Sequence, residues 1–78
     1  MIDVNEVKRM IAEIGLPIDS EKLDPNLPLK EQGIDSLDMM TFYLKSEERF
    51  GIEIPDEDID QLFSIMDLIN YVSQKNNT

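Results

Sequence analysis

The sequence predicts an all-α fold: a small four-helix bundle with three main helices, one short helix and a long first loop. Three features carry this reading. Apolar residues recur at three- and four-residue spacing in separate segments. Cap-forming residues and glycines bracket those segments. No segment shows the strict alternation of a strand, and no repeat or low-complexity tract interrupts the chain. With 78 residues there is room for one core, so a single domain over 1–78 is expected, with helices at about 3–14, 36–50, 56–62 and 64–74.

The first helix rests on Val4, Val7, Ile11 and Ile14, which fall on one face. Asp3 and Glu6 form a D-x-x-E start, Gly15 suits the left-handed end, and Pro17 forbids continuation. Residues 16–34 hold Pro17, Pro25, Pro28 and Gly33, which exclude a long helix. Leu16, Ile18, Leu23, Leu27, Leu29 and Ile34 pin that loop to the core, and a short helical turn is expected near 20–23. The second helix opens with Asp35 as N-cap and Asp38 at N3. Leu37, Met40, Phe42, Tyr43, Leu44 and Phe50 give it a broad apolar surface, and Gly51 ends it. Ile52-Glu53-Ile54-Pro55 reads as an extended link. Asp56, Glu57 and Asp58 then start the short third helix, where the positive dipole end favours acids. Ser64 and Asp67 form a further capping box before the last helix, with Ile65, Leu68, Ile69 and Val72 inward and a frayed tail from Lys75.

Composition removes whole classes of function. Seventeen acids face seven bases, a net charge of −10. That disfavours nucleic acid and anionic membrane as partners, since both need a basic footprint. Cysteine and histidine are absent, which removes disulfides, thiolate nucleophiles, the usual zinc sites and the commonest general base. No apolar run approaches the roughly 20 residues of a membrane span. The first residues lack the basic and apolar regions of a signal peptide, so a cytoplasmic location is expected. The self-repulsion of the acids favours a monomer. Residues 35–67 hold ten acids and two bases, so the charge is concentrated around the second and third helices and their link. This region reads either as a solvated face or as a docking surface for basic partners.

Gly33-Ile34-Asp35-Ser36-Leu37-Asp38 places a serine at the first position of a helix, just after its cap. A group attached there is exposed and close to the positive helix end, which suits a phosphate. With no histidine nearby, Ser36 is better placed to be modified than to act as a nucleophile in catalysis.

These residues resemble an acyl carrier protein. Gly33-x-Asp35-Ser36-Leu37-Asp38 is similar to that family's modification motif. The run from Glu47 to Asp58 and the segment Ile69-Asn70-Tyr71-Val72 are similar to its link and last helix. The resemblance covers nearly the whole chain. It implies that Ser36 carries 4′-phosphopantetheine, installed from coenzyme A by a phosphopantetheinyl transferase with Mg²⁺, and that Asp35 assists near the metal. The protein is then a carrier and not an enzyme, and its arm raises the effective concentration of the acyl group at a docked active site. The implied partners are acyl-ACP synthetase, ketosynthase or acyltransferase enzymes with basic patches. The implied docking face comprises Leu37, Asp38, Met40, Thr41, Lys45, Glu47, Glu48 and Asp56. By position, the implied acyl-chain lining is Met39, Phe42, Ser46, Phe50, Ile54, Ile59, Leu62, Leu68, Ile69 and Val72, residues that also read simply as core.

Three positions depart from the fatty-acid members of that family. They usually have glutamate where Thr41 stands, a small apolar residue at Lys45 and leucine at Ser46. A buried Ser46 needs a partner, such as a carbonyl one turn back, or it leaves room for a polar cargo. These departures point to a carrier with a dedicated pathway, in fatty-acid, polyketide or related biosynthesis. An aminoacyl or peptidyl carrier of a nonribosomal pathway is the alternative within the family. A different class, a small Ca²⁺-binding regulator, is suggested by Asp56-x-Asp58-x-Asp60 with Asp67 at the twelfth position. Gln61 stands where the EF-hand turn needs glycine, which weighs against it. Weak surface binding of Ca²⁺ or Mg²⁺ by Glu47, Glu53 and Asp56 is the milder metal expectation.

Overall fold

A computed structural model describes residues 2–76. Three α-helices carry the fold: α1 (Val4–Ile14), α2 (Ser36–Phe50) and α3 (Ile65–Asn76). α1 packs against both α2 and α3. Among the described residues there is no strand, and no helix is long and apolar enough to cross a membrane.

The expected caps are present. Asp3 accepts a hydrogen bond from the Glu6 amide at 2.8 Å, and Gly15 ends α1 at φ +81° with its amide on the Ala12 carbonyl. That left-handed turn suits glycine because no Cβ is there to clash. Val7, Met10 and Ile11 are buried, while Val4 and Ile14 are half-buried at the ends of the stripe. Met10 completes the face, three residues after Val7. The box at α3 is reciprocal: the Asp67 amide donates to Ser64 Oγ, and Asp67 Oδ2 accepts from the Ser64 amide, both at 3.1 Å. α3 runs past the expected end at residue 74, because neither glycine nor proline follows to stop it. Lys75 therefore belongs to the helix, with its ammonium 5.2 Å from the Tyr71 ring centroid, and the expected fraying of 77–78 lies outside the described residues.

Two segments differ from expectation in detail. The loop 16–34 contains the turn expected near 20–23, as a 3-10 helix at Ser20–Lys22, and also an unexpected one at Leu29–Gln32. The short third helix is a 3-10 helix, Asp56–Gln61, not an α-helix, and none of its residues is fully buried. Six residues between Pro55 and a buried Leu62 leave space for tight turns only, and 3-10 geometry is normally used in such short pieces.

Arg49 of α2 reaches α1, with Nη1 2.7 Å from Glu13 Oε2 and Nε 3.7 Å from Glu6 Oε1. Exposed pairs of this kind add little stability and mainly fix register. The expected apolar surface of α2 divides in two. Met39, Phe42, Tyr43 and Ser46 face the core, whereas Leu37, Met40 and Leu44 face solvent.

Candidate functional site

Ser36 stands at the first turn of α2, between two buried anchors, Ile34 and Met39. The Ile34 amide donates to the Leu29 carbonyl at 3.3 Å, which ties the approach to the loop. Gly33 turns the chain at φ +100°. Asp35 holds extended backbone, its Oδ1 accepts from the Asp38 amide at 2.9 Å, and its carbonyl accepts from Met39, also at 2.9 Å. The cap thus serves two of the amides at the start of α2. Among the described residues the amides of Ser36 and Leu37 have no acceptor.

Ser36 is exposed, and its hydroxyl makes no hydrogen bond among the described residues. This arrangement fits a phosphodiester: an unencumbered hydroxyl on a rigid turn, with two open amides and the positive helix end beside it. Asp38 lies on the same turn. Loss of surrounding water, and then the neighbouring Asp35 carboxylate, push its carboxyl up from the ordinary value of 3.8. Two acids beside a phosphate repel it, so a cation would ease the approach of a phosphorylated donor.

The expected docking residues separate into distinct settings. Leu37, Met40, Thr41, Lys45, Glu48 and Asp56 are exposed, and Asp38 is half-exposed. Glu47 is different: its Oε2 accepts from the Ile54 amide at 2.8 Å, so it clamps the link to α2. Nothing in the sequence spacing marks that bond. Among the described residues no three carboxylates gather closely enough to hold a metal ion, Glu47, Glu53 and Asp56 included. The EF-hand-like spacing likewise forms no ion cage, because Asp67 is spent on the cap of α3.

The residues given as acyl-chain lining belong to the core. Met39, Phe42, Ser46, Ile54, Leu62, Leu68 and Val72 are buried, and Phe50, Ile59 and Ile69 pack half-buried against them. Ser46 is fully buried, and its Oγ donates to the Phe42 carbonyl at 2.7 Å, one turn back. That carbonyl is the partner one turn back that a buried hydroxyl needs. Two tyrosines absent from the expected lining brace this region. Tyr43 donates to the Leu62 carbonyl at 2.9 Å, and Tyr71 donates to Asp58 Oδ2. Tyr71 is buried, which the helical spacing of α3 could have indicated, since it lies three residues beyond the buried Leu68.

Comparison with known proteins bears on the same features. The phosphopantetheine attachment site family matches residues 5–72. An acyl carrier protein from Kineococcus radiotolerans is 44% identical over 62 residues, covering 80% of this chain and 75% of its own length. One from Campylobacter hominis is 36% identical over 72 residues, covering 91% and 90%. One from Campylobacter jejuni subsp. doylei is 34% identical over 73 residues, covering 92% and 94%. Matches of this extent, on a helical fold with an open serine at the start of α2, show that the chain belongs to the acyl carrier protein family, whose domain carries 4′-phosphopantetheine.

Proposed function

We propose that the chain is a carrier whose Ser36 Oγ bears 4′-phosphopantetheine and presents acyl groups as thioesters to successive enzymes. The observation that carries this is the exposed Ser36 on the capped first turn of α2, whose hydroxyl makes no hydrogen bond among the described residues. In the loading step Oγ bonds to the phosphorus that bears the pantetheine arm. The pyrophosphate P–O bond of coenzyme A breaks, adenosine 3′,5′-bisphosphate leaves, and the serine proton passes to a base of the transferase. Asp35 is suited to assist, since Oδ1 is used by the cap and Oδ2 remains for Mg²⁺. The carrier itself makes and breaks no bond of the acyl chain. Its contribution is a tether that keeps the thiol at high local concentration.

The partners in this reading are a phosphopantetheinyl transferase, then an acyl-ACP synthetase, ketosynthase or acyltransferase of a fatty-acid, polyketide or related pathway. Thr41 and Lys45 on the exposed side of α2 support a dedicated pathway. Incubation of the apo protein with coenzyme A, Mg²⁺ and a promiscuous transferase tests the reading. Intact mass should rise by one phosphopantetheinyl group, and Ser36→Ala should stay unmodified. An unchanged mass for the wild type, or a gain on Ser36→Ala, would overturn it.

A further inference from the structure

The charge near Ser36 is unevenly shared between the two elements that follow it. Residues 51–62 carry Glu53, Asp56, Glu57, Asp58 and Asp60 and no base. α2 carries three acids and two bases. One of its acids, Glu47, is turned onto the Ile54 amide. Its two cations, one turn apart, differ sharply. Arg49 is held by Glu13 and Glu6 of α1, whereas Lys45 is exposed and has no ion-pair partner among the described residues.

Along the same exposed side runs an apolar ridge. Leu37, Met40 and Leu44 lie three and four residues apart and are 79%, 51% and 59% exposed. Thr41, between them, turns its hydroxyl back toward the Leu37 carbonyl at 3.4 Å. The exposed face of α2 therefore combines an apolar ridge and the exposed acid Glu48 with one cation, Lys45, that has no ion-pair partner among the described residues. Asp38 is half-exposed near Ser36, while the denser negative charge lies beyond this face on 51–62.

We propose that the exposed face of α2 selects an enzyme whose docking trough is apolar and carries a carboxylate opposite Lys45, with its own cations set over residues 51–62. The proposal rests on the carrier reading above and adds the chemistry of the partner. Covering the ridge removes apolar surface from water. A cationic patch pressed on Lys45 meets like charge, which discriminates against partners built for a uniformly acidic helix.

The test uses the full chain after loading, with an acyltransferase of a fatty-acid system that has a cationic docking patch as the probe. Loading is read first, by intact mass. Lys45→Glu should raise kcat/KM with the probe by about 3- to 10-fold, and Lys45→Ala by less, because rim charges act mainly on association. Lys22→Glu makes the same change in net charge on the turn packed against α1, and should alter the rate less than about 2-fold. Replacing the probe's docking arginines by glutamate, one at a time, should at one position invert the order, so that wild type is preferred over Lys45→Glu. Equal responses to Lys45→Glu and Lys22→Glu, with no inversion at any position, would overturn the proposal while leaving the loaded Ser36 intact. A chain that takes no arm would instead overturn the carrier reading.

Discussion

Two segments lack α-helix, residues 16–34 and residues 51–62, and they are held by different means. The first is sewn in by its own backbone and by buried side chains. The Leu29 amide donates to the Phe63 carbonyl at 2.7 Å, and the Met66 amide donates to the Pro25 carbonyl at 3.0 Å. Gln32 closes the bend from within, accepting from the Asp24 amide and donating to the Asp24 and Leu27 carbonyls. Leu23, Leu29 and Ile34 are buried along its length. The second segment is anchored at its ends by Ile52, Ile54 and Leu62, but its 3-10 helix buries nothing fully. Side chains from α2 and α3 hold it: Glu47 on the Ile54 amide, Tyr43 on the Leu62 carbonyl and Tyr71 on Asp58. A segment held by few apolar contacts and a handful of polar bonds opens at lower free energy than one sewn into the core. The long loop is thus part of the scaffold, and the short acidic segment is the adjustable part beside Ser36.

The largest expected effect tests the first half of that contrast. Leu29→Ala should cost about 2–5 kcal/mol, read as a lower urea midpoint, because the side chain is fully buried. Ile59→Ala, in the half-buried 3-10 helix, should cost no more than about 1.5 kcal/mol. Equal losses would erase the distinction between scaffold and adjustable segment.

A smaller effect separates the two roles open to Glu47. As a clamp it needs an acceptor oxygen, which Glu47→Gln keeps and Glu47→Ala removes. Glu47→Ala should therefore speed amide exchange across 52–62 and cost about 1–3 kcal/mol, the penalty of leaving the part-buried Ile54 amide unpaired. Glu47→Gln should stay close to wild type in exchange. If Glu47 acted only as a docking charge, both variants would slow partner reactions alike and neither would alter exchange.

Much of the scaffold was legible because it depends on local chemistry. Asp3 with Gly15 and Asp35 with Gly51 each bracket a helix, and Ser64 with Asp67 opens one, through contacts a few residues apart. Ser36 was legible for the same reason, as the residue that follows a cap. The face of α2 was not. Leu37, Met40 and Leu44 are as apolar as the residues that face inward, and helical spacing alone does not say which side meets α1 and α3. The clamps were also hidden, since Glu47 to Ile54, Tyr43 to Leu62 and Tyr71 to Asp58 depend on how the link folds back over α2 and α3. The 3-10 turn at Leu29–Gln32 lies between proline and glycine, which mark a turn without stating its geometry.

The smallest effect concerns the latch between α3 and the 3-10 helix, and it appears only at alkaline pH. Burial, then the hydrogen bond to Asp58, then the charges of Asp58, Glu47 and Glu57 push the Tyr71 phenol up from 10.0 to about 12. Between those values the folded protein keeps a proton that the unfolded chain releases. The contribution of Tyr71 is thus fully present below pH 10, the unfolded value, and is lost as pH rises toward about 12. Tyr71→Phe should lower the urea midpoint modestly at pH 8, through loss of the bond to Asp58, and should decline less steeply than wild type between pH 10 and about 12. A shallower residual decline should remain in Tyr71→Phe, because Tyr43 is also raised, by burial and then by Asp60. Parallel curves for wild type and Tyr71→Phe across that window would show that the Tyr71 phenol does not couple the proton to the fold. Of the three side-chain clamps on the acidic segment, only Glu47 and Tyr43 would then keep that role.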